Sequence, residues 1–249
     1  AAWQLVKYLA FDTSALVTLS NELRNVPTTT AALQSLARQH QLTLNTIVQG
    51  AWAVLLNRYS GSEDVVFGAT VSGRPPELEG VESMIGLFIN TLPVRVRVAP
   101  EESLLSCLKR LQQQQVETRQ YEFSPLVQIQ QWSDVPRGLP LFESILAFEN
   151  FPAEAPSEKP KAALEKSDGR MIERNNYPIA LVVSQGNKLH FRITYDCTRF
   201  NAETISRTLD HLRSLLERIS EGLEQNLSSL STLTEAERHR FVVEWNQTA

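Results

Sequence analysis

The residues of this chain that could carry chemistry are few. Four histidines (His40, His190, His211, His239) and two cysteines (Cys107, Cys197) occur in 249 residues. None of the histidines stands in a His-x-x-x-His or comparable metal-ligand spacing, so no metal site is expected. His40, His211 and His239 fall on helical stretches among polar neighbours and read as solvated surface residues. His190 lies on a strand beside Phe191 and reads as a sheet residue whose hydrogen bonds are met. Cys107 sits inside an amphipathic helix and Cys197 follows a strand; both read as structural. The sequence contains no glycine-rich phosphate loop, no Gly-x-Ser-x-Gly elbow and no pair of carboxylates that stands out as an acid–base couple. No catalytic residue is assigned in this chain.

Three polar residues are placed where binding groups occur. Asn90 projects from the apolar face of a strand, where an unpartnered amide costs about 1–3 kcal/mol. It either bonds backbone at a bulge forced by Pro93 or faces a cleft. Asn150 ends an apolar strand, a position from which loops present binding side chains. Arg74 sits in the loop Ser72-Gly73-Arg74-Pro75-Pro76, where a solvated loop residue is expected.

The elements that must position these residues follow from periodicity. Leu44, Ile47, Val48, Ala51, Trp52, Leu55, Leu56 and Tyr59 recur at helical spacing, with Thr43 to cap the start and Gly61 to end it. Thr28–Thr30 offer caps for a helix over 31–39. Residues 65–71 read as a buried strand. Residues 87–98 alternate, placing Phe88, Asn90, Leu92, Val94, Val96 and Val98 on one face and Thr91, Arg95 and Arg97 on the other. Pro93 lacks a donor, which implies a sheet edge or a bulge. Residues 103–116 form an amphipathic helix whose Gln112–Gln115 run reads as its wet face. Ser124-Pro125 starts a short helix to Trp132. A strand at 141–148, a hairpin of 179–184 and 188–195, a helix capped by Asn201 and ending at Gly222, and a capping box at Thr234–Glu237 complete the order. Strands alternating with helices give an α/β fold, one sheet with helices packed against it.

Composition sets the class. Hydrophobic residues make up 42% and charged residues 21%, and Lys plus Arg at 24 against Asp plus Glu at 28 leaves a net charge of −4. That balance argues against an electrostatic nucleic-acid binder. The apolar runs are well short of the roughly 18 residues of a membrane helix. Two cysteines cannot staple a fold of this size and point to a reducing, cytoplasmic compartment.

The motifs say more than the chemistry does. Ile85-Gly86-Leu87-Phe88-Ile89-Asn90-Thr91-Leu92-Pro93-Val94-Arg95 resembles the Ile/Val-Gly-x-Phe-Val-Asn-Thr-x-x-x-Arg motif of nonribosomal peptide synthetase condensation domains. Thr43–Thr46, Tyr59-Ser60-Gly61, Val66-Phe67-Gly68-Ala69-Thr70-Val71-Ser72-Gly73-Arg74-Pro75, Tyr121-Glu122-Phe123 and Phe148-Glu149-Asn150-Phe151-Pro152 resemble the same domain. The hallmark His-His-x-x-x-Asp-Gly is absent, and in the family it lies in the N-terminal lobe. The chain therefore looks like the C-terminal lobe of a chloramphenicol acetyltransferase-like, two-lobed condensation domain. Residues 1–27 are a lead-in, 28–230 the lobe and 231–249 resemble a linker toward an adenylation domain, so the chain is expected to be a piece of a larger enzyme.

The resemblance implies a tunnel between lobes in which a carrier-bound acyl thioester meets an acceptor amine and a peptide bond forms. The thioesters ride on the phosphopantetheine arms of donor and acceptor carrier proteins; this lobe binds no cofactor itself. It implies that Asn90, Thr91, Asn150 and Arg74 line or underlie the tunnel, while Gly73, Gly86, Phe88, Arg95 and Tyr121 are motif scaffold. The partners implied are the N-terminal lobe, the two carrier proteins and the adenylation domain, with no nucleic acid or membrane. The polar stretch Pro152–Asn176 is expected to be a latch that crosses to the other lobe. A non-catalytic platform for carrier and adenylation domains, or part of an epimerising, cyclising or ester-forming relative, stand as alternatives.

Overall fold

The computed structural model describes residues 16–19, 27–74, 78–149, 176–186 and 188–245. Most of the lead-in, Asn150 and nearly all of the expected latch lie outside the described residues.

Two helices open the core. α1 (Pro27–His40) starts on a proline, so Thr28–Thr30 lie inside its first turn and do not cap it. Thr30 is buried there and its hydroxyl accepts the Leu189 backbone N–H at 3.2 Å. α2 (Leu44–Ser60) begins at Thr43, whose hydroxyl accepts the Thr46 N–H, and ends at Gly61 in the left-handed region. Ile47, Val48, Ala51, Trp52, Val54 and Leu55 of α2 are fully buried. Each large side chain so removed from water is worth about 1.5–3 kcal/mol.

The sheet has six strands in the order β1-β6-β5-β4-β2-β3. They are β1 (Leu16–Leu19), β2 (Asp64–Val71), β3 (Asn90–Arg97), β4 (Ser144–Glu149), β5 (Ile179–Gln185) and β6 (Leu189–Asp196). β4 runs parallel to β2 and β5; the other pairs are antiparallel. β3 lies at the edge, and it pairs with β2 residue for residue with Pro93 opposite Gly68. The missing proline donor is therefore met by an edge, without a bulge.

β3 is shorter than its alternation implies. Its last partner is Val71 opposite Asn90, after which β2 turns away. Residues 86–89 have no strand to pair with, and Leu87 is 93% exposed. Phe88 therefore leaves the face it was expected to share with Leu92 and Val94.

α3 (Leu104–Thr118), capped by Ser103, α4 (Leu126–Trp132) and α5 (Ala202–Glu221), capped by Asn201, complete the main layer with α6 (Glu235–His239) near the C-terminus. The cap position of α4 is Pro125, which has no side chain to cap with, and Ser124 stands one residue too early and is buried. Helices and sheet share one core, in which Phe67, Leu146, Leu181 and Ile193 meet Trp52, Leu108 and Leu212.

The Gln112–Gln115 run is not a simple wet face. Gln112 Oε1 accepts the Thr43 N–H at 2.9 Å and its amide donates to the Gln41 carbonyl at 2.7 Å. Gln115 donates to Gln49 Oε1 at 2.9 Å, and Gln49 donates to Asn45 Oδ1 at 3.0 Å. Gln49 and Thr46 are buried in the seam between α2 and α3, so these amides are the polar stitching of a helix pair.

Two measurements test this packing. A Cβ at Gly68 would overlap the Phe142 ring and stand 2.9 Å from Ile145 Cγ2. Gly68→Val is expected to lower stability by about 1–3 kcal/mol in urea unfolding. Burial pushes the Cys107 thiol up to about 11, whereas Cys197 is exposed. A thiol reagent at pH 8 should modify one cysteine quickly and Cys107 only on unfolding.

Candidate functional site

The site residues gather where β2 leaves the sheet and β3 enters it. After Ser72 the chain turns at Gly73, with φ +62°, and a Cβ there would overlap the Phe88 carbonyl oxygen. Only glycine lets the two segments approach this closely. Arg74 follows and is not solvated: its guanidinium donates to the carbonyls of Val81 and Met84, the latter at 2.9 Å, and covers the Phe88 ring at 4.2 Å. A Cβ at Gly86 would meet the same ring at 3.1 Å. Gly73, Arg74, Gly86 and Phe88 thus form one knot, and it turns the apolar side chains of Ile85, Leu87 and Ile89 outward.

Asn90 binds backbone, but not at a bulge. Its Nδ2 donates to the carbonyls of Glu122 and Ser124, both at 2.8 Å, and its Oδ1 accepts the Thr91 N–H at 2.9 Å. The side chain therefore ties the first residue of β3 to the turn between α3 and α4. Tyr121 lies on that turn with its ring exposed, and its carbonyl accepts the Ser124 N–H. Thr91 pairs with Thr70 across the strands.

Arg95 is not part of this gathering. It forms a 2.6 Å ion pair with Asp64 toward the other end of the hairpin. The hydrogen bond from Arg95 holds the Asp64 carboxyl below its ordinary value, although both partners face solvent. Asn150 lies outside the described residues.

Beside the knot lies a cleft of about 220 Å³, lined among others by Asn45, Gln49, Thr70, Ser72, Gln115 and Glu122. These amides and hydroxyls share the lining with Arg119 and with apolar residues of β2 and β3, among them Val71, Leu92 and Val94, so the cleft offers donors and acceptors beside an apolar wall. Sequence reading missed Gln49 and Gln115; the available signal was Asn45 and Gln49 at i,i+4 on an otherwise apolar helix. Among the described residues, no group of three or more His, Cys, Asp or Glu could hold a metal ion. The four histidines lie apart from the cleft lining; His190 and His239 are exposed, whereas His211 is buried, contrary to the surface role read from its neighbours.

The sequence profile of the condensation domain matches residues 14–242. The chain belongs to the condensation-domain family. It is 57% identical over 221 residues to a linear gramicidin synthase protein of Brevibacillus parabrevis, covering 89% of this chain and 4% of that one. It is 40% identical over 223 residues to chondramide synthase of Chondromyces crocatus, covering 88% of this chain and 6% of that protein. The chain thus spans a small fraction of the length of these relatives.

Solved condensation-type structures share its fold. The X-domain from teicoplanin biosynthesis superposes with a TM-score of 0.72 at 22% identity, over 90% of this chain and 52% of that one. A four-domain nonribosomal peptide synthetase bound to AMP and glycine gives 0.73 at 17% identity, over 89% and 18%. The α/β fold expected of a condensation lobe is therefore the fold found. Among the described residues no helix is long and apolar enough to cross a membrane.

Asn90→Leu keeps volume but strips two carbonyls and one N–H of their partner. We expect a loss of about 2–4 kcal/mol in urea unfolding, since each orphaned group costs on the order of 1–3 kcal/mol before relaxation. A midpoint unchanged from the parent chain would mean that the turn finds other partners.

Proposed function

We propose that this condensation-family chain is the C-terminal lobe of a two-lobed domain and supplies one wall of the tunnel in which a peptide bond forms between carrier-bound substrates. The observation that carries this reading is an apolar surface beside a polar cleft. Ile85, Leu87, Ile89, Phe123, Val127 and Trp132 are exposed on the two segments that Asn90 and the Arg74 knot hold together. Large exposed apolar side chains on neighbouring segments mark a surface that another protein surface covers. The chain also spans only about half of the X-domain that it superposes on. The N-terminal lobe is the partner that fits.

In this reading the lobe contributes geometry rather than proton transfer. Near-attack placement of an amine and a thioester can supply much of the acceleration. Arg74 and Asn90 act as positioning residues, because their hydrogen bonds fix the loop of residues 84–89 and the turn at 119–125. Thr91 and Asn150 stand beside or behind the tunnel. The cleft takes the neutral amide groups of the substrate or of the phosphopantetheine arm, and the hallmark histidine of the other lobe assists or positions the amine. Carrier proteins bring the thioesters, an adenylation domain follows, and the assembly works in the cytoplasm.

The experiment compares this chain alone with the chain joined to its upstream half, given donor and acceptor carrier thioesters. The chain alone should form no dipeptide and the joined protein should. In the joined protein, Leu87→Asp should lower turnover at least tenfold while leaving the melting temperature of the isolated chain within about 2 °C. Turnover by the chain alone overturns the reading, as does a joined protein indifferent to Leu87→Asp.

A further inference from the structure

One cluster of titratable side chains, built around a buried histidine, lies outside the cleft. Tyr59 Oη at the end of α2 is 2.7 Å from His211 Nδ1 on α5, and His211 Nε2 is 3.0 and 3.1 Å from the carboxylate oxygens of Glu237 on α6. His211 is 7% exposed and its ring meets Tyr59 edge-on at 5.9 Å. Glu237 is also the third helical residue of a capping box: its carboxylate accepts the Thr234 N–H at 3.0 Å and the Thr234 hydroxyl at 2.9 Å.

The direction of these bonds follows from the chemistry. Burial raises the Glu237 carboxyl, but the bonds from Thr234 and His211 outweigh it and hold the group below its ordinary value. Burial raises the Tyr59 hydroxyl against the lowering effect of its bond with Thr208 and keeps it protonated, so that it can donate. An ionised Glu237 only accepts, so Nε2 carries a proton; in the neutral ring Nδ1 then accepts from Tyr59. One imidazole relays a bond from α2 to α6.

The position of this relay gives it meaning. The segment after α5 is laced down step by step. Leu223, Leu227 and Leu230 are buried, Arg58 donates to the Leu227 carbonyl at 2.6 Å, and the Ser214 hydroxyl donates to the Leu233 carbonyl at 3.0 Å. Glu237 adds a further tie on α6. Every residue from Arg238 to Trp245 is exposed, and the ion pairs there are local, Arg238 with Glu235 and Arg240 with Glu244. A helix of five residues followed by one π-turn is too short to persist by itself.

We propose that Tyr59, His211 and Glu237 form a clasp that fixes α6 on the lobe, so that the helical turns of 235–244 persist and leave the lobe in one direction. The boundary of the rigid lobe then lies after Glu237 rather than at residue 230. The segment read as a linker starts as part of the lobe.

The test is hydrogen exchange of the 249-residue chain, comparing amides 238–245 with those of α2. Tyr59→Phe removes one bond of the relay, and His211→Phe removes both; the capping box survives in each. Tyr59→Phe should speed exchange in 238–245 about fivefold and His211→Phe at least tenfold, with amides 48–54 within twofold of the parent. Adding Tyr59→Phe to His211→Phe should change exchange in 238–245 no further, because the Tyr59 hydroxyl reaches α6 only through that ring and its other partner, Thr208, lies on α5. Unchanged exchange in 238–245 for Tyr59→Phe overturns the clasp. So does a rise shared equally by α2, or single effects that multiply in the double variant.

Discussion

The edge strand β3 has hydrogen-bonding groups to spare and a proline in its middle, and the amide of Asn90 decides how its entry is held. One side chain bonds the carbonyls of Glu122 and Ser124 and the N–H of its own successor. An edge strand fixed only by β2 would fray at its first residue, because β2 ends opposite it at Val71. The three bonds move that endpoint onto the turn between α3 and α4. Everything on the cleft side of the molecule, from the Arg74 knot to Tyr121, is registered against that point.

The second constraint is close approach. Gly73 faces the Phe88 carbonyl where no Cβ fits, and Arg74 then clamps the loop through the carbonyls of Val81 and Met84 and the face of Phe88. The glycine permits the contact and the arginine secures it. A motif of the form Gly-Arg and a motif of the form Gly-x-Phe-x-Asn are therefore two halves of one local structure. Arg74 and Phe88 hold each other and Asn90 holds the turn at 122–124, and none of the three is among the residues lining the cleft.

Much of the scaffold was legible in the sequence because its signals are local. Thr43 and Asn201 cap the helices that follow them, Gly61 closes α2, and Thr234 with Glu237 forms the box that the spacing implies. What was misread depended on partners distant in sequence. Gln112 and Gln115 look like solvent-facing residues until α2 is laid against them, and His211 looks like a surface residue until residues 223–237 fold back over it. Asn90 was recognised as out of place, yet its partners lie more than thirty residues away, so periodicity alone could not choose between a bulge and a cleft. Polar side chains carry no periodic signature of their own, and a helix face reads as wet or as seam only once its neighbour is known.

The exposed apolar surface fits this division of labour. The helices α1, α2, α3 and α5 bury their faces on the sheet or on one another, in one shared core. α4 is different: seven residues long, it buries none of them fully, and Val127 and Trp132 face outward. A helix of that length gains too little from its own hydrogen bonds to offset the entropy of ordering it. Within the chain it is held by the turn that Asn90 pins and by its packing near β3. Covering Val127 and Trp132 would add about 1.5–3 kcal/mol for each side chain removed from water. Whatever surface covers these two side chains therefore adds directly to the order of α4, the helix that gains least from the core of the chain.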